Sequence, residues 1–183
     1  MEFSGKKVTV VGTGISGIGA VGLLNAVGAE VVLYDGNEKL KIEDIEKKLG
    51  TYKAEIVLGE LTKELTDSSD LLVISPGVPI DSPVVKAFEA AGVPVWGEVE
   101  LAYAFDKGKV LAITGTNGKT TTTALVGQIV GAYHKDTFVV GNIGNPYTTE
   151  VLKSNKDSYT VAEISSFQLE TVHEFHPLVS AIL

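Results

Sequence analysis

Thr114-Gly115-Thr116-Asn117-Gly118-Lys119-Thr120-Thr121 lies between the apolar run Val110-Leu111-Ala112-Ile113 and the stretch Thr122-Thr123-Ala124-Leu125-Val126. The order is strand, glycine loop, lysine, helix, and it describes a cradle for phosphate. Glycines let successive backbone N–H groups turn toward one anion, and the following helix presents its positive end. Lys119 adds a full charge where the β- and γ-phosphates of a nucleotide lie, and Thr120 offers a hydroxyl to Mg²⁺. A plain Gly-Thr turn between a strand and a helix would need no lysine at the helix start. The spacing is G-x-x-G-K-T-T; the commoner phosphate-loop spacing would place its first glycine at position 113, which is Ile113.

Toward the N-terminus, Val8-Thr9-Val10-Val11 is a β-branched run closed by Gly12-Thr13-Gly14-Ile15-Ser16-Gly17, and Ile18 to Val27 is small and apolar. Glu30-Val31-Val32-Leu33-Tyr34, ending at Asp35-Gly36-Asn37, completes a βαβ unit. The pattern predicts a charged helix from Glu38 to Leu49, a strand at Glu55–Leu58, a buried strand at Leu71–Ser75 ending in Pro76-Gly77, and a helix from Pro83 to Ala91. A strand at Val93–Trp96 and a helix from Glu98 to Phe105 follow. Such alternation implies a parallel sheet with helices on both faces.

The hydrophobic pattern lapses at Asp106-Lys107-Gly108-Lys109, which places a domain boundary there. Beyond the phosphate loop come a helix to about Tyr133, a strand at Thr137–Val140, the turn Gly141-Asn142-Ile143-Gly144-Asn145-Pro146 and a helix to about Lys153. Tyr159–Ala162 reads as a buried strand ending on Glu163, and Leu178–Leu183 as a last strand. The expected fold is α/β: a Rossmann-like parallel-sheet domain over residues 1–106, then part of a phosphate-loop ATPase domain over 107–183.

With 44% hydrophobic residues the chain can bury a real core, and its formal charge is −8. An acidic chain without a basic stripe argues against nucleic acid or an anionic membrane as the main partner. Phosphate must then be met locally, by backbone amides and single lysines. The absence of cysteine excludes disulfides, thiolate zinc sites and a cysteine nucleophile. No long apolar segment follows Met1-Glu2-Phe3-Ser4-Gly5-Lys6-Lys7, and nowhere do eighteen apolar residues run together, so the cytoplasm is the expected compartment.

Gly12-x-Gly14-x-x-Gly17 with Asp35 after the second strand is also the fingerprint of a dinucleotide-binding turn, in which the acid holds ribose hydroxyls. A dehydrogenase has no use for a second phosphate loop, however. A nucleotide-linked substrate in the first domain, opposite ATP on the second, accounts for both. Glu163 ends a strand where an acid can coordinate Mg²⁺ held from the other side by Thr120; a strand-end carboxylate in solvent is the plain alternative. Ser165 and Gln168 can line a polar site, although a helix N-cap explains the serines more simply. Gly141-Asn142-Ile143-Gly144 can be read as a turn alone. His134, His173 and His176 share no metal-ligand spacing with nearby acids.

Three stretches, Thr114–Thr121, Gly141-Asn142-Ile143-Gly144 and Glu163-Ile164-Ser165-Ser166-Phe167-Gln168-Leu169-Glu170, in that order, resemble the Mur ligases of peptidoglycan synthesis. The last stretch and the strand end Ser75-Pro76-Gly77 are most similar to the D-glutamate-adding members. The resemblance implies that Gly14, Ile15, Ser16, Asp35 and Gly36, with Ser75, Pro76 and Gly77, hold the UDP part of UDP-N-acetylmuramoyl-L-alanine. It implies ATP on Gly115, Thr116, Asn117, Gly118, Lys119, Thr120 and Thr121, with magnesium on Thr120 and Glu163. Asn142, Ser165 and Gln168 would face the muramoyl-alanine arm. Lys119 and Glu163 would act in catalysis, in a reaction that makes an acyl phosphate and passes it to the amino group of D-glutamate.

The family pattern continues past the last strand with an Asn-x-Thr-x-Asp-His segment, a carbamylated lysine and an amino-acid-binding domain. The expectation is therefore a portion of a ligase, inactive by itself. The alternatives are a module that only holds a UDP-sugar or nucleotide, and another amide ligase of the same family.

Overall fold

The β-branched and apolar runs become two all-parallel sheets in the computed structural model, which describes residues 3–183. The first is ordered β3-β2-β1-β4-β5, from β1 (Lys7–Val11), β2 (Glu30–Asp35), β3 (Glu55–Leu58), β4 (Leu71–Ile74) and β5 (Val95–Gly97). The second is ordered β7-β8-β6-β9, from β6 (Lys109–Thr114), β7 (Thr137–Gly141), β8 (Tyr159–Glu163) and β9 (Val179–Ile182). Parallel pairing requires a crossover between strands, and helices supply it.

Strand alternation sorts the first sheet's side chains onto two faces. Val8, Val10, Val31, Leu33, Leu71 and Val73 lie in one core with α1 (Ile15–Ala26), α2 (Ile42–Leu49) and α5 (Glu98–Tyr103). Val11, Val32, Tyr34, Leu72 and Ile74 lie in another with α3 (Lys63–Ser68) and α4 (Pro83–Ala90). Both faces are covered, as an all-parallel sheet needs.

The first of these cores does not stop at the sheet. It continues through Tyr147 of α7 (Tyr147–Glu150) and Val151 of the 3₁₀ turn after it to Val110, Ala112, Val140 and Ala162 of the second sheet. Helices α1, α5 and α7 touch one another and form a layer shared by both sheets. The other face of the second sheet carries α6 (Lys119–Tyr133), and α8 (Ser166–Leu169) follows β8.

Asp106, in the polar stretch between the sheets, is anchored. Its Oδ2 accepts from Tyr147 Oη at 2.6 Å and Thr160 Oγ1 at 2.7 Å, and its Oδ1 accepts from Gly108 N at 2.7 Å. Burial and the neighbouring Asp106 charge hold the Tyr147 phenol protonated far above its ordinary range.

Two expectations need correction. The helix predicted from Glu38 begins at Ile42, because Asp35 Oδ1 accepts from Asn37 N and Asn37 Oδ1 accepts from Lys39 N. These side-chain turns compete with helical hydrogen bonding over just those residues. Helix α3, capped by Thr62 Oγ1 accepting from Leu65 N, has no counterpart in the sequence reading.

Candidate functional site

Strand order reverses at β1, with β2 and β3 on one side and β4 and β5 on the other. At such a switch point a crevice opens beyond the carboxyl ends of the strands. The turn after β1 and the strand end after β4 meet there, joined by Ser75 N donating to Val11 O at 3.1 Å. A side chain at Gly17 would run into Gly12 O, so the third glycine of the turn is required by close approach. Gly14 instead faces open space.

A cleft of about 500 Å³ results. Gly14, Ile15, Ser16, Ser75, Pro76 and Gly77 line it from the first sheet, and Gly141, Asn142, Gly144 and Pro146 from the second. Seven residues singled out in the sequence thus share one site with contributions from both sheets. Ser75 Oγ, buried and without a partner, is a free hydrogen-bonding group at its wall.

Asp35 and Gly36 are not among the lining residues. The Asp35 carboxylate accepts from Thr13 N at 3.2 Å and Thr13 Oγ1 at 2.9 Å, which ties the end of β2 to the glycine turn. Asp35 thereby shapes the turn that faces the cleft.

The phosphate loop follows β6 as the sequence reading expects. Gly118 is the N-cap of α6 at φ +82°, a left-handed conformation that suits glycine. Lys119, the first residue of the helix, donates from Nζ to Gly115 O at 2.8 Å and Thr116 O at 3.3 Å. The ammonium therefore lies over its own loop. Thr120 and Thr121 stand in the exposed first turn of α6.

Glu163 ends β8, whose neighbours are β6 and β7; it is in register with Ile113 on one side and Gly141 on the other. It is 4% exposed, and its Oε2 is buried with no hydrogen-bond partner. A buried carboxylate oxygen without a donor is open to a water, a donor group or a cation. Among the described residues no group of three or more His, Cys, Asp or Glu could hold a metal. A Mg²⁺ ion, which binds through one or two carboxylates plus phosphates and water, fits this donor set. Glu163 O also accepts from Asn142 N at 3.1 Å, so the acid's backbone supports the turn that lines the cleft.

Ser165 and Gln168 bond to each other. Ser165 Oγ accepts from Gln168 N at 3.3 Å, and Gln168 Oε1 accepts from Ser165 N at 2.9 Å and Ser165 Oγ at 3.1 Å. This capping box opens α8, and neither residue lines the cleft. The sequence reading missed Glu98 and Glu100 as well. Both are buried at the joint between the sheets, and their partners lie some fifty to seventy-five residues away.

A cleft at the switch point of one parallel sheet, closed by a turn of a second sheet that also carries a glycine loop and lysine at a helix start, defines a two-part α/β protein of Rossmann-like build. Residues 6–97 match the family model for the Mur ligase MurD-like N-terminal domain, and residues 113–182 match the Mur ligase middle domain. The chain belongs to the Mur ligase family.

Among curated relatives it is 71% identical over 183 residues to the UDP-N-acetylmuramoylalanine--D-glutamate ligase of Lachnospira eligens, covering 100% of this chain and 41% of that protein. The ligase of the same name from Lachnoclostridium phytofermentans is 58% identical, with 100% of this chain and 40% of the relative covered. The chain thus spans about two-fifths of the length of these relatives. Among solved structures, a UDP-N-acetylmuramate:L-alanyl-gamma-D-glutamyl-meso-diaminopimelate ligase from Neisseria meningitides aligns with a TM-score of 0.57 at 18% identity, covering 98% of this chain and 60% of that one. That likeness is one of fold. No helix among the described residues is long and apolar enough to cross a membrane.

Proposed function

We propose that the full-length protein is an ATP-dependent ligase that joins D-glutamate to UDP-N-acetylmuramoyl-L-alanine in peptidoglycan synthesis, acting in the cytoplasm. In this reading residues 1–106 hold the UDP-linked substrate and residues 107–183 form part of the ATP site. The observation that carries it is the single cleft lined by Gly14, Ser16 and Ser75 from one sheet and Asn142 from the other, with buried Glu163 supporting the same turn. The names of its relatives supply the muramoyl-alanine and D-glutamate substrates.

The reaction has two steps. A carboxylate oxygen of the alanyl group attacks the γ-phosphorus of ATP, the bond to the β–γ bridging oxygen breaks, and ADP leaves. The amino group of D-glutamate then attacks the acyl phosphate carbon; an amide forms, inorganic phosphate departs and the nitrogen loses a proton. Lys119 and the loop N–H groups stabilise negative charge on the phosphoryl oxygens as it passes. To do so Lys119 must exchange its bonds to Gly115 O and Thr116 O for bonds to phosphate. Glu163 and Thr120 would hold Mg²⁺, which would neutralise negative charge on the reacting phosphate.

Phosphate release by the full-length protein, with ATP and UDP-N-acetylmuramoyl-L-alanine present and D-glutamate added last, tests the reading. Release that depends on all three supports it. Release without D-glutamate dependence, or calorimetric binding of NADH with no response to the UDP-linked substrate, overturns it.

A further inference from the structure

Helix α5 stands between two segments of the second sheet's half of the molecule and sends one carboxylate into each. Glu98 Oε1 accepts from Thr148 N at 2.8 Å and Thr148 Oγ1 at 2.9 Å, at the start of α7. Glu100 Oε2 accepts from His173 N at 2.8 Å and Phe175 N at 3.2 Å, while its Oε1 accepts from Glu174 N at 2.8 Å. Both acids are almost wholly buried, and neither pairs with a cation among the described residues.

The bonded segments flank the site. Thr148 follows the turn 141–146 that carries Asn142, and residues 173–175 follow the stretch 163–170 that begins with Glu163. Apolar side chains would hold two sheets together with less desolvation cost than unpaired carboxylates. What a carboxylate adds is direction: each fixes particular backbone N–H groups to a particular helix of the other half.

We infer that Glu98 and Glu100 are positioning residues, which set Asn142 and the Glu163 segment against the Gly14–Ser16 and Ser75–Gly77 walls of the substrate cleft. This rests on the ligase reading for the identity of the substrate, though not for the geometry. The phosphate loop of β6 and α6 makes no contact with either acid in these hydrogen bonds, so the affinity for ATP at saturating Mg²⁺ is separable from the effect, whereas the Mg²⁺ requirement, through Glu163, is not. The two positions also differ in what an amide can replace. Glutamine at 98 keeps an oxygen for both Thr148 donors. Glutamine at 100 sets its NH₂ against a backbone N–H, because Glu100 uses both of its oxygens.

The test uses the full-length enzyme. In Glu100→Gln and Glu98→Ala, KM and the calorimetric Kd for UDP-N-acetylmuramoyl-L-alanine should rise roughly tenfold or more, because small misplacements of binding groups are costly. KM for ATP at saturating Mg²⁺ should stay within about twofold, and Glu98→Gln should retain near-wild-type substrate affinity. Should the first two variants fold poorly, Thr148→Val removes one donor from the same joint and Thr148→Ser restores it; the valine variant alone should weaken the substrate. Unchanged substrate affinity in these variants, or KM values for substrate and ATP that rise together, would overturn the inference. Spin labels at Lys47 and Lys135 read the geometry without substrate, and a broader distance distribution in Glu100→Gln is expected. An unbroadened distribution counts against the positioning role, whereas a wild-type enzyme that ignores the UDP-linked substrate counts against the ligase reading alone.

Discussion

The two glycine turns of this molecule look alike in sequence and are held in opposite ways. The turn after β1 is shaped from within: Gly17 fits against Gly12 O, and Asp35 grips Thr13 through two hydrogen bonds. The loop after β6 has a lysine curled onto two of its own carbonyls, an arrangement that a phosphate can replace. A glycine pattern alone therefore identifies a strand-to-helix turn. The charge beside it identifies what the turn binds.

The sharpest way to break this comparison is to remove that charge. Lys119→Ala in the full-length enzyme should lower phosphate-releasing turnover by on the order of 10²–10³-fold while leaving the fold intact, because a charged donor to the transferring group is lost. Steady-state turnover beside a circular dichroism melt measures both. Glu163→Gln should cost on the order of 10²-fold at limiting Mg²⁺, with partial recovery as Mg²⁺ is raised. A rate that ignores Mg²⁺ in this variant would separate the orphaned Glu163 oxygen from the metal.

For the first turn the expected loss is in stability. Gly17→Ala should destabilise by about 1–3 kcal/mol in urea unfolding, since backbone must move to admit the methyl group. Gly14→Ala, with open space around the added carbon, should leave unfolding nearly unchanged and weaken the UDP-linked substrate. Equal destabilisation by the two would remove the distinction between a packed and a ligand-facing glycine.

The smallest effect concerns the joint. Burial, partly offset by the hydrogen bonds from Thr148, holds the Glu98 carboxyl above its ordinary value. The folded protein then retains a proton that the unfolded chain has released. Stability should fall as pH rises from about 4.3 until the folded carboxyl itself ionises. Melting temperatures of wild type and Glu98→Gln should converge at low pH and separate above it, with the glutamine variant the higher. A constant gap between the two melting curves would contradict this linkage.

What could be read from the sequence follows from how local each cause is. Val8–Val11 and Leu71–Ile74 declare themselves as strands because β-branched and apolar residues suit a pleated, buried backbone, and the glycines beside them mark turns. Gly14, Ser16, Ser75 and Asn142 could be named in advance from turn chemistry and family likeness, and they do share the cleft. Helix α3 went unseen because its six residues bury only Leu65 and Thr66, too little to set a period. Ser165 and Gln168, which the family likeness turns toward substrate, bond to each other three residues apart, as the N-cap reading of the serine expects. Glu98, Glu100 and Asp106 could not be read at all as joint residues, since a carboxylate that accepts from distant backbone or hydroxyl groups leaves no pattern nearby.

One contact at the edge of the second sheet also bears on the order in which the molecule is made. Thr116 N donates to Leu183 O at 3.1 Å, and Leu183 N donates to Thr114 O at 3.0 Å, so the residue that follows β9 braces the phosphate loop from outside. The loop precedes its brace by more than sixty residues of synthesis. Until Leu183 has left the ribosome, Thr114–Lys119 has α6 behind it and β8 on one side of its strand, and no strand on the other. A nascent chain would thus complete the glycine loop after β6 late, after the first sheet has already had every strand it needs.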